Sequence, residues 1–345
     1  MNYKMLLGTL LFAFAMVFGT AQAQDAAMPG EGVTLSPALA TWDSARPTDA
    51  VYRAMLEELG YEVEASTSLA NPIFYQSVAQ GDVDYWTDGW FPIHNSQLPE
   101  GFEEVANKAA GTVSAGGALQ GYLVDRASAE EFNITSLEDF KRDEVKEAFD
   151  SNGDGMADLV ACPPGWGCEI IINHHLDAYE LRDHVNPITA AYNASFADAL
   201  ARYNNGESIL FYTWTPNFTT FELPPGEDVV WINVPSIAPT DAQAGFEDSM
   251  TLSGVEGAIS DPITMGFIAN DINVVANQAF LDENPAAAKL FELAGIPLED
   301  ITSMTARINQ GEDSDEDVAA MAQEWISNNQ ETVDGWLEEA RAAAQ

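Results

Sequence analysis

Basic residues are scarce in this chain. It carries 13 Lys and Arg against 55 Asp and Glu, a formal net charge of −42. That imbalance excludes nucleic acid and anionic membrane surfaces as partners, since both repel such a protein. Cysteine is scarcer still, with two residues in all. Neither a disulfide framework nor a four-cysteine zinc site can be built from two. No G-x-S-x-G, H-E-x-x-H or phosphate-loop motif occurs, so nothing marks a hydrolase or a nucleotide site. Beyond the N-terminus no apolar run approaches the ~20 residues of a membrane span.

The N-terminal run is of another kind. Lys4 precedes an apolar stretch from Met5 to Phe18, and Ala21-Gln22-Ala23 forms an A-x-A cleavage site. Residues 1–23 therefore read as a secretory signal peptide, and the mature chain is expected to be exported and not membrane-embedded. What remains is long enough for two domains. The acidity is not that of a disordered chain, because 46% of residues are hydrophobic, with 8 Trp and 17 Phe. The acids are spread along the sequence, as on a solvated surface.

Strand and helix patterns alternate. Residues 32–35 read as a first strand, 48–59 as a helix stopped by Gly60, 61–65 as a strand, 72–80 as a helix. The rhythm restarts with strand 119–124, helix 136–149, helix 196–203 and strands 208–212 and 229–232. Residues 263–268 and 271–275 read as strands returning to the first unit, and 285–293, 318–326 and 332–343 as packing helices. No fixed-period repeat is visible. The pattern predicts an α/β fold of two lobes with mainly parallel strands. Lobe 1 is assigned 24–124 and 264–345, and lobe 2 is assigned 125–263. Ligands of such folds lie at the carboxyl ends of strands and between domains.

Residues 162–169, Cys-Pro-Pro-Gly-Trp-Gly-Cys-Glu, are the most informative stretch. Two prolines and two glycines make a tight turn, and Ile170 onward reads as a helix. A helix start offers N–H groups to an anion. Trp166 offers a π-face to a cation. In an oxidising compartment Cys162 and Cys168 suit a disulfide, contributing about 2–2.5 kcal/mol through loop entropy. Two unpaired buried thiols are the alternative. Trp90 and Trp214 also sit in Gly/Pro-rich or Thr/Pro-rich turns beside strands. Trp42, Trp86, Trp231, Trp325 and Trp336 read as core or helix-face residues. His174 and His175 read as packing or surface residues. Asp150, Asn152, Asp154 and Asp158 fall at calcium-loop positions 1, 3, 5 and 9, but Ala161 stands where the bidentate acid belongs. Calcium there competes with a plain Asx-rich turn.

Several stretches together resemble the periplasmic glycine betaine/proline betaine-binding proteins of bacterial ABC importers. They are 89–94 (Gly-Trp-Phe-Pro-Ile-His), 149–155, 162–169 with Asn173-His174, 211–216 (Phe-Tyr-Thr-Trp-Thr-Pro), 228–231 and 284–291. The resemblance implies a two-lobed periplasmic-binding-protein fold with the ligand between lobes, a monomeric receptor, and an ABC permease with ATPase subunits as partners. It implies a cage of Trp90, Trp166 and Trp214 around a quaternary ammonium. It also sets the ligand carboxylate against the N–H groups of Gly167 and Cys168 and against His94. Such an ammonium has no N–H, so indole faces, not hydrogen bonds, recognise it. At roughly 0.5–2 kcal/mol per face, three faces supply at most about 6 kcal/mol. A micromolar ligand needs about 8 kcal/mol, so the carboxylate must also bind. Gly89, Phe91 and Trp86 depart from the family pattern beside the cage. Carnitine, dimethylsulfoniopropionate and choline are the alternative ligands, and an exported hydrolase is the distant one.

The acidic surface predicts a salt-adapted protein, because screening weakens its self-repulsion. Its thermal midpoint should rise clearly from low to molar salt. A flat response removes that reading.

Overall fold

The computed structural model describes residues 28–345. The signal peptide expected at 1–23 lies outside the described residues.

Two sheets of matching design make up the two lobes. In the first, Thr34–Leu35 and Ala38–Leu39 pair in parallel with Glu62–Val63 and Thr67–Ser68, and Pro37 bridges Tyr85 in parallel. Strand Tyr85–Phe91 then pairs antiparallel with Asn270–Asn277, which pairs antiparallel with Ala106–Ala118. In the second sheet, Val185–Ile188 is parallel to Ala157–Val160, and that strand is parallel to Leu210–Trp214. Leu210–Trp214 is antiparallel to Gln120–Asp125, which is antiparallel to Val229–Ile232. Each sheet is thus three parallel strands followed by two antiparallel ones. The expectation of mainly parallel strands holds only for the first three.

The parallel parts need helical crossovers, since a hairpin cannot join parallel neighbours. Helices Ala45–Glu58 and Asn71–Gln80 serve the first lobe, and Gly167–Ala178 and Tyr192–Asn204 the second. The same β-α-β-α-β unit therefore occurs twice, although no periodic repeat is visible in sequence. Asn71–Gln80 stops at Gly81, which takes the left-handed conformation (φ 79°) that glycine adopts without penalty. The expected single helix 136–149 is two pieces, Leu137–Lys141 and Asp143–Phe149. Arg142 between them is extended (ψ 133°), which breaks the ladder.

The antiparallel strands carry the chain between lobes. Ala106–Ala118, absent from the sequence expectation, ends in the first sheet, and Gln120–Asp125 begins at once in the second. The boundary set at 124 is therefore displaced: residues 120–124 pair with Leu210–Trp214 and belong to the second sheet. The return is similarly displaced. Only Ile263–Thr264 is a strand there, paired with Thr251–Leu252, and the first sheet resumes at Asn270. C-terminal helices Pro285–Leu293, Asp315–Asn328 and Gln330–Ala343 close the first lobe, packing on Ala106–Ala118, on Ala45–Glu58 and on one another.

Close approach governs one glycine. A Cβ on Gly111 would lie 1.7 Å from the Phe291 carbonyl oxygen, so helix Pro285–Leu293 rests directly on bare strand backbone. Gly111→Ala should lower unfolding free energy by about 1–3 kcal/mol, the range for an overpacked core. Denaturant titration measures it, and an unchanged midpoint with unchanged slope would refute the contact.

Candidate ligand-binding site

The repeated unit presents two kinds of turn to the cleft. One follows the first strand of each unit and leads into a helix: residues 40–44 in the first lobe and 161–166 in the second. The other ends the third strand, at Trp90-Phe91-Pro92 and Trp214-Thr215-Pro216, each with a cis proline bond. Each of these four turns carries a tryptophan, so Trp42 and Trp90 of one lobe face Trp166 and Trp214 of the other.

Those four indoles line one cavity between the lobes, together with His94, Gly167 and Cys168. Trp166 stands nearly perpendicular to Trp214, with ring centroids 5.3 Å apart, and to Trp42, at 5.4 Å. All four are at most 8% exposed. The six residues expected in the site, Trp90, Trp166, Trp214, His94, Gly167 and Cys168, all reach it. Trp42 does too, which corrects its assignment to the core. Ile93, Gln120 and Tyr212 complete the lining, with the Tyr212 hydroxyl donating to Gln120 Oε1 at 2.6 Å. Trp86 is core as expected, stacked on Phe74 at 3.8 Å.

Every cage indole has its N–H tied down away from the cavity. Trp42 donates to Asp88 Oδ2 (2.8 Å), Trp90 to Asp88 Oδ1 (2.6 Å), Trp166 to Thr41 Oγ1 (2.8 Å) and Trp214 to Ser44 Oγ (3.5 Å). The rings are thereby held in orientation. Burial pushes the Asp88 carboxyl up to about 7, against the two indole bonds that favour its ionised form.

The turn that carries Trp166 also brings backbone to the cavity. Cys162 and Cys168 are disulfide-bonded, and Glu169 Oε2 accepts from the Gly165 N–H (3.0 Å), which fixes the turn. Helix Gly167–Ala178 starts there, and its first N–H groups have no intrahelical acceptor. Space at Gly167 is tight: a Cβ would lie 3.1 Å from Ile93 and 3.2 Å from the His94 ring.

His94 is held at both ring nitrogens. Nδ1 lies 2.6 Å from the Tyr75 hydroxyl and 3.1 Å from the Trp90 backbone N–H. Burial lowers the His94 pKa to about 3, so the ring is neutral. Nε2 lies 3.0 Å from Asn71 Nδ2. That amide is oriented by a chain of bonds: the Gly165 carbonyl accepts from Gln97 Nε2 (3.2 Å), and Gln97 Oε1 accepts from Asn71 Nδ2 (3.0 Å). Asn71 therefore turns a donor toward His94, and its own Oδ1 is left buried without a partner.

The acidic loop is a different matter. Asp150 accepts from the N–H groups of Gly153, Asp154 and Gly155, and Asn152 Oδ1 accepts from that of Asp154. Asp154 accepts from Met156 N–H and Asn186 Nδ2. Asp158 accepts from Ser151, Asn152 and Asn186. These oxygens face N–H and O–H donors, not a common point, and no cluster of three or more metal-type side chains converges among the described residues. Asx-type bonds to its own N–H groups tie the loop together. His175 packs on Tyr179 and Phe267, with its Nδ1 2.9 Å from the Tyr122 hydroxyl.

The sequence profile described as the substrate-binding domain of ABC-type glycine betaine transport systems matches residues 33–328. The chain belongs to this family. It is 38% identical over 339 residues to a glycine betaine-binding periplasmic protein of Dickeya dadantii, covering 98% of each chain. It is 37% identical over 344 residues to the glycine betaine/proline betaine-binding periplasmic protein of Escherichia coli, covering 99% of each. Among solved structures, a lactococcal family member in its closed, glycine betaine-bound form superposes with a TM-score of 0.65 at 20% identity, covering 88% of this chain and 99% of that one. A choline-binding protein superposes at 0.64 and 19% identity, covering 90% and 96%. These two establish the fold, the two-lobed architecture of periplasmic binding proteins.

Acid should expose the buried histidines of this family member. His94 and His175 both have pKa values lowered to about 3 by burial. Their stabilisation is full above the unfolded value of about 6.5 and is lost as pH falls toward 3, because the unfolded chain takes up protons first. Asp49 and Asp88, raised by burial to about 6 and about 7, act oppositely, favouring the fold at low pH. Comparison with His175→Gln isolates the histidine part: its stability should fall less steeply between about pH 6.5 and pH 4. Parallel slopes would contradict neutral burial.

Proposed function

We propose that the protein is an extracytoplasmic receptor that closes its lobes around glycine betaine or proline betaine and delivers it to an ABC permease driven by separate ATPase subunits. The observation that carries this reading is the lining of one cavity: four indoles stand around it together with Gly167 and Cys168 at a helix start and His94. A zwitterion with a methylated onium and a carboxylate matches that lining.

The onium group sits among the faces of Trp90, Trp166 and Trp214. Its diffuse charge suits the ring quadrupoles, and its methyl groups suit their apolar surface. The carboxylate meets the helix start, where the macrodipole adds to the two N–H groups, with His94 beside it. Lobe closure removes water, which strengthens every one of these contacts. The names of the relatives support the same ligand class. The family is one of receptors, and the exported-hydrolase reading has no support in the site.

Calorimetric titration should show micromolar or tighter binding of glycine betaine and proline betaine. Choline, which lacks the carboxylate, should bind more weakly, and dimethylsulfoniopropionate tests the tolerance for sulfonium. Absence of heat with both betaines would overturn the proposal. Trp166→Ala should weaken betaine binding roughly tenfold or more, the loss of one desolvated face. Unchanged affinity would place Trp166 outside the onium site.

A further inference from the structure

We infer that Trp42 is a fourth wall of the onium cage, and that Asp88 is the residue that positions it and sets a negative charge behind two of the four walls. This rests on the betaine reading and extends it to two residues outside the three-tryptophan pattern.

Trp42 meets the geometric requirement. It lines the same cavity as the other three indoles, is 7% exposed, and packs edge-on to Trp166 at 5.4 Å. Its far side rests on Trp86, centroids 6.0 Å apart, and Trp86 is itself clamped on Phe74. The ring therefore has firm backing and cannot retreat from the cavity. The duplicated fold accounts for its location: Trp42 follows the first strand of its lobe as Trp166 follows the first strand of the other.

Asp88 supplies what neutral residues would not. Trp166 and Trp214 satisfy their N–H groups with hydroxyls, those of Thr41 and Ser44. Trp42 and Trp90 use one buried carboxylate, an oxygen each. An isolated buried carboxylate is costly, and two charge-assisted bonds from indoles offset that cost in part. A cation in the cage offsets more. The carboxylate attracts it directly through a low-dielectric wall, and it polarises both indoles so that their faces become more negative.

The segment around Trp42 ties this wall to lobe closure. Thr41 accepts from Trp166, Asp43 from Asn193 and Ser44 from Trp214, so its neighbours on both sides are bonded across the cleft. Separating the lobes takes those acceptors away and opens the cage between Trp42 and Trp166. Residues 41–44 thus join cage assembly to closure, and onium selectivity is exercised in the closed state.

The test uses the full mature chain and glycine betaine, titrated at about pH 8.5, where Asp88 is ionised. Tryptophan at position 42 is replaced by mono-, di- and trifluorinated tryptophan, and position 166 is treated in the same way. Fluorine withdraws charge from the ring face with little change of shape, so a merely structural ring does not respond. Affinity should fall stepwise at both positions, by about tenfold over the series, equivalent to about 1.4 kcal/mol. A flat series at 42 beside a graded one at 166 overturns the fourth wall and leaves the betaine reading standing. Flat series at both, or no heat with the unmodified chain, overturns the two together. Asp88→Asn should weaken glycine betaine at least severalfold, and choline by at least the same factor, since the charge lies behind the onium end. Unchanged affinity for both ligands overturns the role of Asp88.

Discussion

Four indole rings are buried between two lobes, and each carries an N–H that must be bonded. That constraint shapes the rest of the cleft. An indole serves a cation with its face, so its N–H edge has to point away from the ligand and still find an acceptor. The acceptors are Asp88 for Trp42 and Trp90, and Thr41 and Ser44 for Trp166 and Trp214. Two of these bonds lie within a lobe and two cross the cleft. Recognition and closure therefore share the same atoms.

The opposite end of the cavity is organised by backbone. A disulfide, a Gly165 N–H bond to Glu169 and a helix start hold donors in place without any basic side chain. This is consistent with a chain so poor in Lys and Arg. A helix terminus and a histidine kept neutral by burial stand there instead. A fixed positive side chain would compete with the ligand's own cation; partial charges do not.

Much of this was legible in residues alone. The turn 162–169 announced a helix start with a π-face and a probable bridge, and family resemblance tied it to Trp90, Trp214 and His94. All meet in one cavity. Trp42 was not legible. It lies in a short Ala-Thr-Trp-Asp-Ser turn with no Gly/Pro marker, and its partner Asp88 is 46 residues away, so nothing local separates it from a core tryptophan. The signal that identifies it is its equivalence to Trp166, which appears only once the two sheets are compared strand by strand. In the loop 150–158, spacing puts oxygens at suitable positions, but which donors they meet is decided by the fold.

Residues read alone settle the local chemistry: an acidic chain, an α/β rhythm, one turn with paired cysteines, and three tryptophans in turns. These follow from propensities and motifs that act over a few residues. Tertiary structure decided where the lobes divide, because strand partners 90 residues apart set Gln120–Asp125 in the second sheet. It also decided that Trp42 lines the cavity and that Asp88 holds its N–H. Each of those depends on groups distant in sequence meeting in a dry, closed cleft, where an unmet hydrogen bond or charge is costly enough to dictate the arrangement.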